Sequence, residues 1–169
     1  MAKKKKTEEA GTPSLETILF NCREYLRSNA SLNDKRDLLL TLVFLRFIGE
    51  KFEDEQEALR GQCLDNGMTD EDEIKDFLDQ PDMYSGVAFV PAAARWGDLI
   101  LLPPTKLNAS LDDALTALED SGETFKGCVR LGLFTSINLE ANVIKKVMDE
   151  VSKISHKTFG TERDLIGRV

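Results

Sequence analysis

The sequence has a single histidine, a single tryptophan, five prolines and only three cysteines in 169 residues. The lone histidine, His156, sits in a polar stretch with no serine or cysteine spaced to make a nucleophile and base pair, so it reads as a surface residue. Cys22, Cys63 and Cys128 are odd in number, widely separated and free of any C-x-x-C pattern. With no apolar segment after the opening lysines, they exclude a disulfide framework and a secretory leader and point to a reduced, cytoplasmic protein. No long hydrophobic run is present either. The longest, Leu38 to Ile48, is bounded by Lys35-Arg36-Asp37 and Glu50-Lys51, and it falls well short of the ~20 residues a bilayer requires. No membrane is expected as a partner.

Recognisable catalytic motifs are missing as well. There is no G-x-G-x-x-G, no G-x-x-x-x-G-K-[ST], no H-E-x-x-H and no G-x-S-x-G, so composition and motifs supply no enzyme and no cofactor site in this segment. The acidic cluster Asp70 to Glu73 fails as a calcium loop, because counting from Asp65 puts Asp70 where an EF-hand needs glycine. No metal is expected.

What is there is a chain of globular composition, 41% hydrophobic and 31% charged, long enough for one domain with a sizeable core. Its net charge of −8 is unevenly placed. Glu50 to Asp82 holds 13 acidic and 3 basic residues, a local net of −10 that leaves +2 for the rest. That segment repels phosphate and reads as a solvated face, while a basic patch remains open to the remainder.

The apolar spacing is helical almost throughout. Ser14 is placed to cap an amphipathic helix whose apolar residues recur at Leu15, Ile18, Leu19, Cys22, Tyr25 and Leu26. Ser31 to Asp34 precedes a second helix, apolar nearly all round from Leu38 to Ile48, that belongs at the centre of a bundle. It turns amphipathic after Gly49, with Phe52 inward and Glu53, Asp54, Glu55 and Glu57 outward, and is expected to end at Gly61 and Asn66-Gly67. Thr69 and Asp72 resemble a capping box for a short helix burying Ile74, Phe77 and Leu78. Tyr84 to Val90 predicts an extended segment or a short β-hairpin, and Pro91 a first helical turn with Trp96 in that helix. Pro103-Pro104 predicts a break, with Ser110 capping the next helix through Leu111, Leu115 and Leu118. The last full helix follows Asn138 and carries the stripe Leu139, Val143, Ile144, Val147, Met148, Val151 and Ile154.

The expected fold is therefore mainly α, a helical bundle around a buried central helix. Residues 1–13 read as a solvated tail, 14–160 as the helical domain, and 161–169 as the start of a further helix, as if cut from something longer.

Several residues are candidates for contact with DNA or another subunit. Arg46 interrupts the most apolar helix, where a guanidinium needs carboxylates, carbonyls or a partner's phosphates; a structural ion pair and an interface contact both remain open. Lys35, Arg36, Lys145, Lys146 and Lys153, together with the run Lys3 to Lys6, are the local cations that phosphate contact would need. The lysines on the last helix also read as ordinary solvated residues. Arg95-Trp96 is either an exposed recognition pair or, for the tryptophan, core. Asp112-Asp113 cannot face each other as a catalytic pair, since adjacent helical residues diverge by about 100°, and they read as stabilising the start of their helix.

The central helix Leu-Leu-Leu-Thr-Leu-Val-Phe-Leu-Arg-Phe-Ile-Gly-Glu-Lys-Phe-Glu (38 to 53), followed by Phe89-Val-Pro-Ala-Ala-Ala-Arg-Trp96, Leu111-Asp-Asp-Ala-Leu, Ile137-Asn-Leu139 and Asp164-Leu-Ile-Gly-Arg-Val169, resembles the N-terminal helical domain of the modification subunit of type I restriction-modification systems. The resemblance implies a non-catalytic domain for subunit assembly and closure around double-stranded DNA. It implies a parent enzyme that transfers a methyl group from S-adenosylmethionine to adenine N6, with the base extruded from the duplex, and with the cofactor loop and Asn-Pro-Pro-Phe-type motif in a later domain. The specificity subunit, a second modification subunit and the restriction subunit are the partners it implies. A rival reading is a free-standing helical adaptor that binds a basic protein through its acidic face.

Overall fold

The computed structural model describes residues 13–27, 30–137 and 139–159. The expected tail, apart from Pro13, and the expected helix start at 161–169 lie outside the described residues, as does Asn138. The described chain is mainly α, with no strand or sheet among the described residues.

Helix α1 spans Leu15–Tyr25 and is capped as expected, the Ser14 hydroxyl accepting from the Thr17 N–H. Helix α2 runs Leu32–Asp65 behind a Ser31 cap that accepts from the Asp34 N–H. At 34 residues it is about 50 Å long. No residue from 37 to 50 is exposed, which is the central position its apolar sequence demands. Gly61 does not end it. The helix continues to Asp65 and closes at Gly67, whose φ of 85° suits glycine. There the Met68 N–H donates to the Cys63 carbonyl and the Gly67 N–H to that of Leu64, a Schellman arrangement with Met68 packed near Cys63.

Helix α3, Glu71–Leu78, begins one residue later than the capping-box reading placed it. Asp70 is the cap, accepting from the Asp72 and Glu73 N–H groups, because its short carboxylate reaches both orphan donors. Ile74 and Leu78 of α3 join Cys63 in a small satellite cluster, so the two halves of α2 serve separate apolar clusters.

Tyr84 to Val90 is irregular extended chain rather than a hairpin. Aromatic contacts to α2 hold it in place of a ladder: the Phe52 ring lies 4.7 Å from Tyr84 and 5.4 Å from Phe89, and the Tyr84 hydroxyl donates to the Leu78 carbonyl at 2.7 Å. Pro91 precedes a 3₁₀ turn over Ala92–Ala94, and Trp96 opens a separate single turn, α4, Trp96–Leu99. Gly49 lets this turn approach α2. A Cβ there would stand 3.0 Å from that of Trp96.

Helix α5 spans Pro104–Asp120, starting six residues before the expected Ser110 cap. Only Pro103 is extended; Pro104 occupies the first helical position, where its missing N–H removes a donor that would have no intrahelical partner. Leu107, Leu111, Ala114, Leu115 and Leu118 line its buried face. Single-turn α6, Leu133–Ser136, and α7, Ala141–Val151, follow. Helix α7 ends at Val151, three residues earlier than its stripe suggested, and Ile154 reaches the core from the turn beyond it. A last turn, α8, covers His156–Phe159. Helices α1, α2 and α5 pack on α7 around one main core. No helix among the described residues is long and apolar enough to cross a membrane.

Candidate functional site

Arg46 resolves to an internal role. Its side chain is 16% exposed, its Nε donates to the Ile154 carbonyl at 3.0 Å, and its guanidinium lies 3.6 Å from Glu50, one turn on. Glu50 in turn accepts from the Ser155 hydroxyl at 2.8 Å and from the His156 N–H. Burial pushes the Glu50 carboxyl up, but the His156 N–H, the Ser155 hydroxyl and Arg46 together hold it below its ordinary value. The arrangement is a clasp that fastens residues 154–156 to the middle of α2.

His156 belongs to this clasp and is no surface residue. Its side chain is 18% exposed, with Nδ1 3.3 Å from Glu50 and Nε2 3.3 Å from Asp54. Nothing near it in sequence announces this, since both carboxylates lie about a hundred residues earlier. Asp54 and Glu53 are likewise not merely a solvated face: Asp54 also meets Lys157 at 3.6 Å, and Glu53 accepts from the Gly97 N–H at 3.3 Å. No three histidine, cysteine or acidic residues among those described are arranged to hold a metal.

The α7 lysines divide. Lys145 donates to the Ile100 carbonyl and pairs with Asp149 at 3.4 Å. Lys153 pairs at 2.6 Å with the buried Glu150, which also accepts from Asn21 of α1. The bond from Lys153 outweighs burial and lowers the Glu150 pKa, and the same bond raises that of Lys153. Lys146 alone of the three is exposed with no partner among the described residues.

Trp96 is core, 3% exposed, with its indole N–H donating to the Ser152 hydroxyl at 3.0 Å. Arg95 pairs with Asp79 at 2.7 Å and lies 5.4 Å from the Phe52 ring centre. Asp112 does not serve the start of α5, which lies two turns earlier. Its two oxygens accept from the Phe134 and Thr135 N–H groups at 2.9 Å each, capping α6 across the bundle.

Lys35 and Arg36 are brought together with residues the sequence reading passed over. They line a groove of about 680 Å³ between α1 and the first two turns of α2, opposite Arg23 of α1 and Arg27 two residues past its end. The lining follows helical spacing at Leu19, Phe20 and Arg23 along α1, with Arg27 beyond the helix end, and at Leu32, Lys35, Arg36 and Leu39 along α2. Phe20 and Leu32 are 60% and 82% exposed. The usable sequence signal was the outward stripe of α1, which mixes Phe20 with Arg23 and is followed by Arg27. A second, smaller recess of about 310 Å³ has Arg60, Glu71, Asp79 and Arg95 in its wall, and those charges are already matched as Arg60–Glu71 and Arg95–Asp79 pairs.

Comparison with known families gives one match: the HsdM N-terminal domain, over residues 15–151. No curated protein matches the chain. The matched range starts with α1 and ends with α7, taking in the main core, the clasp's α2 half and the groove. The chain belongs to the HsdM N-terminal domain family, the N-terminal domain of the modification subunit of type I restriction-modification systems.

Proposed function

We propose that this chain is the assembly and DNA-closure domain of a type I modification subunit, whose parent enzyme methylates adenine N6 in double-stranded DNA. The family match across the whole span from α1 to α7 carries the reading. The polar geometry supports it: the clusters at Glu50, Glu150, Asp112 and Arg95 each fasten one element to another, which is what a rigid positioning domain needs.

The two recesses described above do not fit S-adenosylmethionine. Its sulfonium is a cation, and the larger groove presents Arg23, Arg27, Lys35 and Arg36, while in the smaller recess the carboxylates Glu71, Asp72 and Asp79 are balanced by Arg60, Lys75 and Arg95. On this reading the cofactor and the methyl transfer belong to another part of the parent, and no step runs through this domain. DNA closure depends on assembly, since a chain with net charge −8 gains little from phosphate alone. The specificity subunit, a second modification subunit and the restriction subunit are the partners proposed for it.

The test is reconstitution. The tagged chain is co-expressed with the specificity subunit and the remaining modification-subunit segment encoded beside it, and methyl transfer to duplex DNA is followed with labelled S-adenosylmethionine. Stable co-purification and methylation that requires the chain are expected. Full methylation without it, or co-purification only with an unrelated basic protein, would overturn the reading in favour of an adaptor.

A further inference from the structure

We infer that the groove between α1 and the start of α2 is a docking site for an acidic amphipathic helix of another protein in the complex. The inference rests on the proposed assembly role and names the chemistry of one partner. The groove lies between α1, with the two residues past its end, and the start of α2, each side carrying two basic side chains and an exposed apolar one, Phe20 and Leu32. Surface pairs join Arg27 to Glu24 at 3.2 Å and Arg36 to Asp37 at 3.0 Å, and Arg23 is unpaired among the described residues. With Glu16 and Glu24 counted against Arg23, Arg27, Lys35 and Arg36, its lining is net +2 on a chain of net −8.

Three features select the occupant. The lining on the α1 side runs from Glu16 to the helix end at Tyr25 and on to Arg27, its helical part being about 14 Å long, and a cleft between two helices takes a third helix at ordinary packing distance. Phe20 and Leu32 offer apolar surface that a DNA backbone cannot cover and that a helix with a Leu or Ile stripe can. A two-fold copy of the chain would set one net-positive groove against another, which like charges oppose. Carboxylates flanking an apolar stripe complement both the charge and the floor.

The experiment uses the full chain and fluorescence anisotropy with three probes. These are a peptide of about five turns with leucines at i, i+3, i+4 and i+7 and glutamates elsewhere, its twin with lysine for glutamate, and a DNA duplex. The acidic peptide is expected to bind, the lysine twin and the duplex to bind at least about tenfold more weakly. Arg23→Glu with Arg27→Glu, and separately Phe20→Ala, are each expected to weaken the acidic peptide on the order of tenfold. These side chains are exposed, so unchanged thermal melts show that the variants are folded. Equal binding of both peptides, no binding of the acidic one, or a duplex that binds best overturns the inference. So does self-association of the chain that the Arg23→Glu and Arg27→Glu pair abolishes, which would give the groove to a second copy. Reconstitution that succeeds while the peptide fails removes this groove assignment and leaves the assembly role standing.

Discussion

Replacing Glu50 with alanine removes the acceptor on which the C-terminal turn is hung. Glu50 is 14% exposed and accepts from the Ser155 hydroxyl and the His156 N–H while its partner Arg46 holds the Ile154 carbonyl. Hydrogen bonds to an ionised group are worth about 1.5–3 kcal/mol each. Water reaches the edge of this site, so the lower end applies to each of the two bonds and the loss is about 3 kcal/mol, or roughly 6–12 °C in melting temperature for a chain of this size. Glu50→Gln keeps an acceptor and loses only the charge, so it should cost about half as much. The pH dependence has a definite sign. Because the folded carboxyl lies below its ordinary value of 4.5, its contribution is fully present above that value and is lost as pH falls through the lower folded pKa. Thermal melts from pH 7 downward, with amide exchange at His156, read both effects. A Glu50→Ala melt within about 1 °C of the parent, with the His156 amide no faster to exchange, would refute the clasp.

Gly49→Ala should destabilise by about 1 kcal/mol in urea titration despite the better helix propensity of alanine. The Trp96 Cβ it meets at 3.0 Å is fixed to backbone and cannot swing aside. Asp112→Ala should cost about 1–2 kcal/mol and speed amide exchange at Phe134 and Thr135; unchanged exchange would show that α6 does not depend on this cap. Of the three thiols, exposed Cys128 should react at once with a disulfide reagent at pH 8, while Cys22 and Cys63 wait for unfolding. Both are buried, and burial, with Glu150 nearby, pushes the Cys22 thiol up to about 12.

What the sequence disclosed of the fold was its apolar periodicity, because burial writes a repeating pattern into a helix. The Leu38 to Ile48 run placed α2 at the centre, and Ser14, Ser31 and Asn66-Gly67 marked helix ends because their capping is local chemistry. Boundaries failed where two local signals competed. Pro103-Pro104 signals both a break and a first helical turn, and Thr69 and Asp70 are both adequate caps one residue apart. Tyr84 to Val90 carried strand-like residues whose role is to reach Phe52, and a side-chain anchor leaves the same composition as a ladder. The site was less legible. Helical spacing tells which residues share a face and nothing of what that face meets: Asp112 caps α6 twenty-two residues on, and His156 finds carboxylates more than a hundred residues back.

Lys145 and Lys146 give that distinction its sharpest test, since they are adjacent, identical in chemistry and indistinguishable by composition. The fold separates them. Lys145 is 25% exposed, donates to the Ile100 carbonyl between α4 and α5 and pairs with Asp149, whereas Lys146 is exposed with no partner among the described residues. Removing the first leaves a carbonyl without its donor and should cost about 1–2 kcal/mol; removing the second should stay within about 0.5 kcal/mol. If both alanine variants melt alike, Lys145 is a solvated lysine and α7 returns to the list of phosphate-contact faces. If they differ as expected, its charge is committed to holding the turn after α4, and the cations left for a partner are those the fold leaves exposed and unpaired, such as Lys146 and, in the groove between α1 and α2, Arg23.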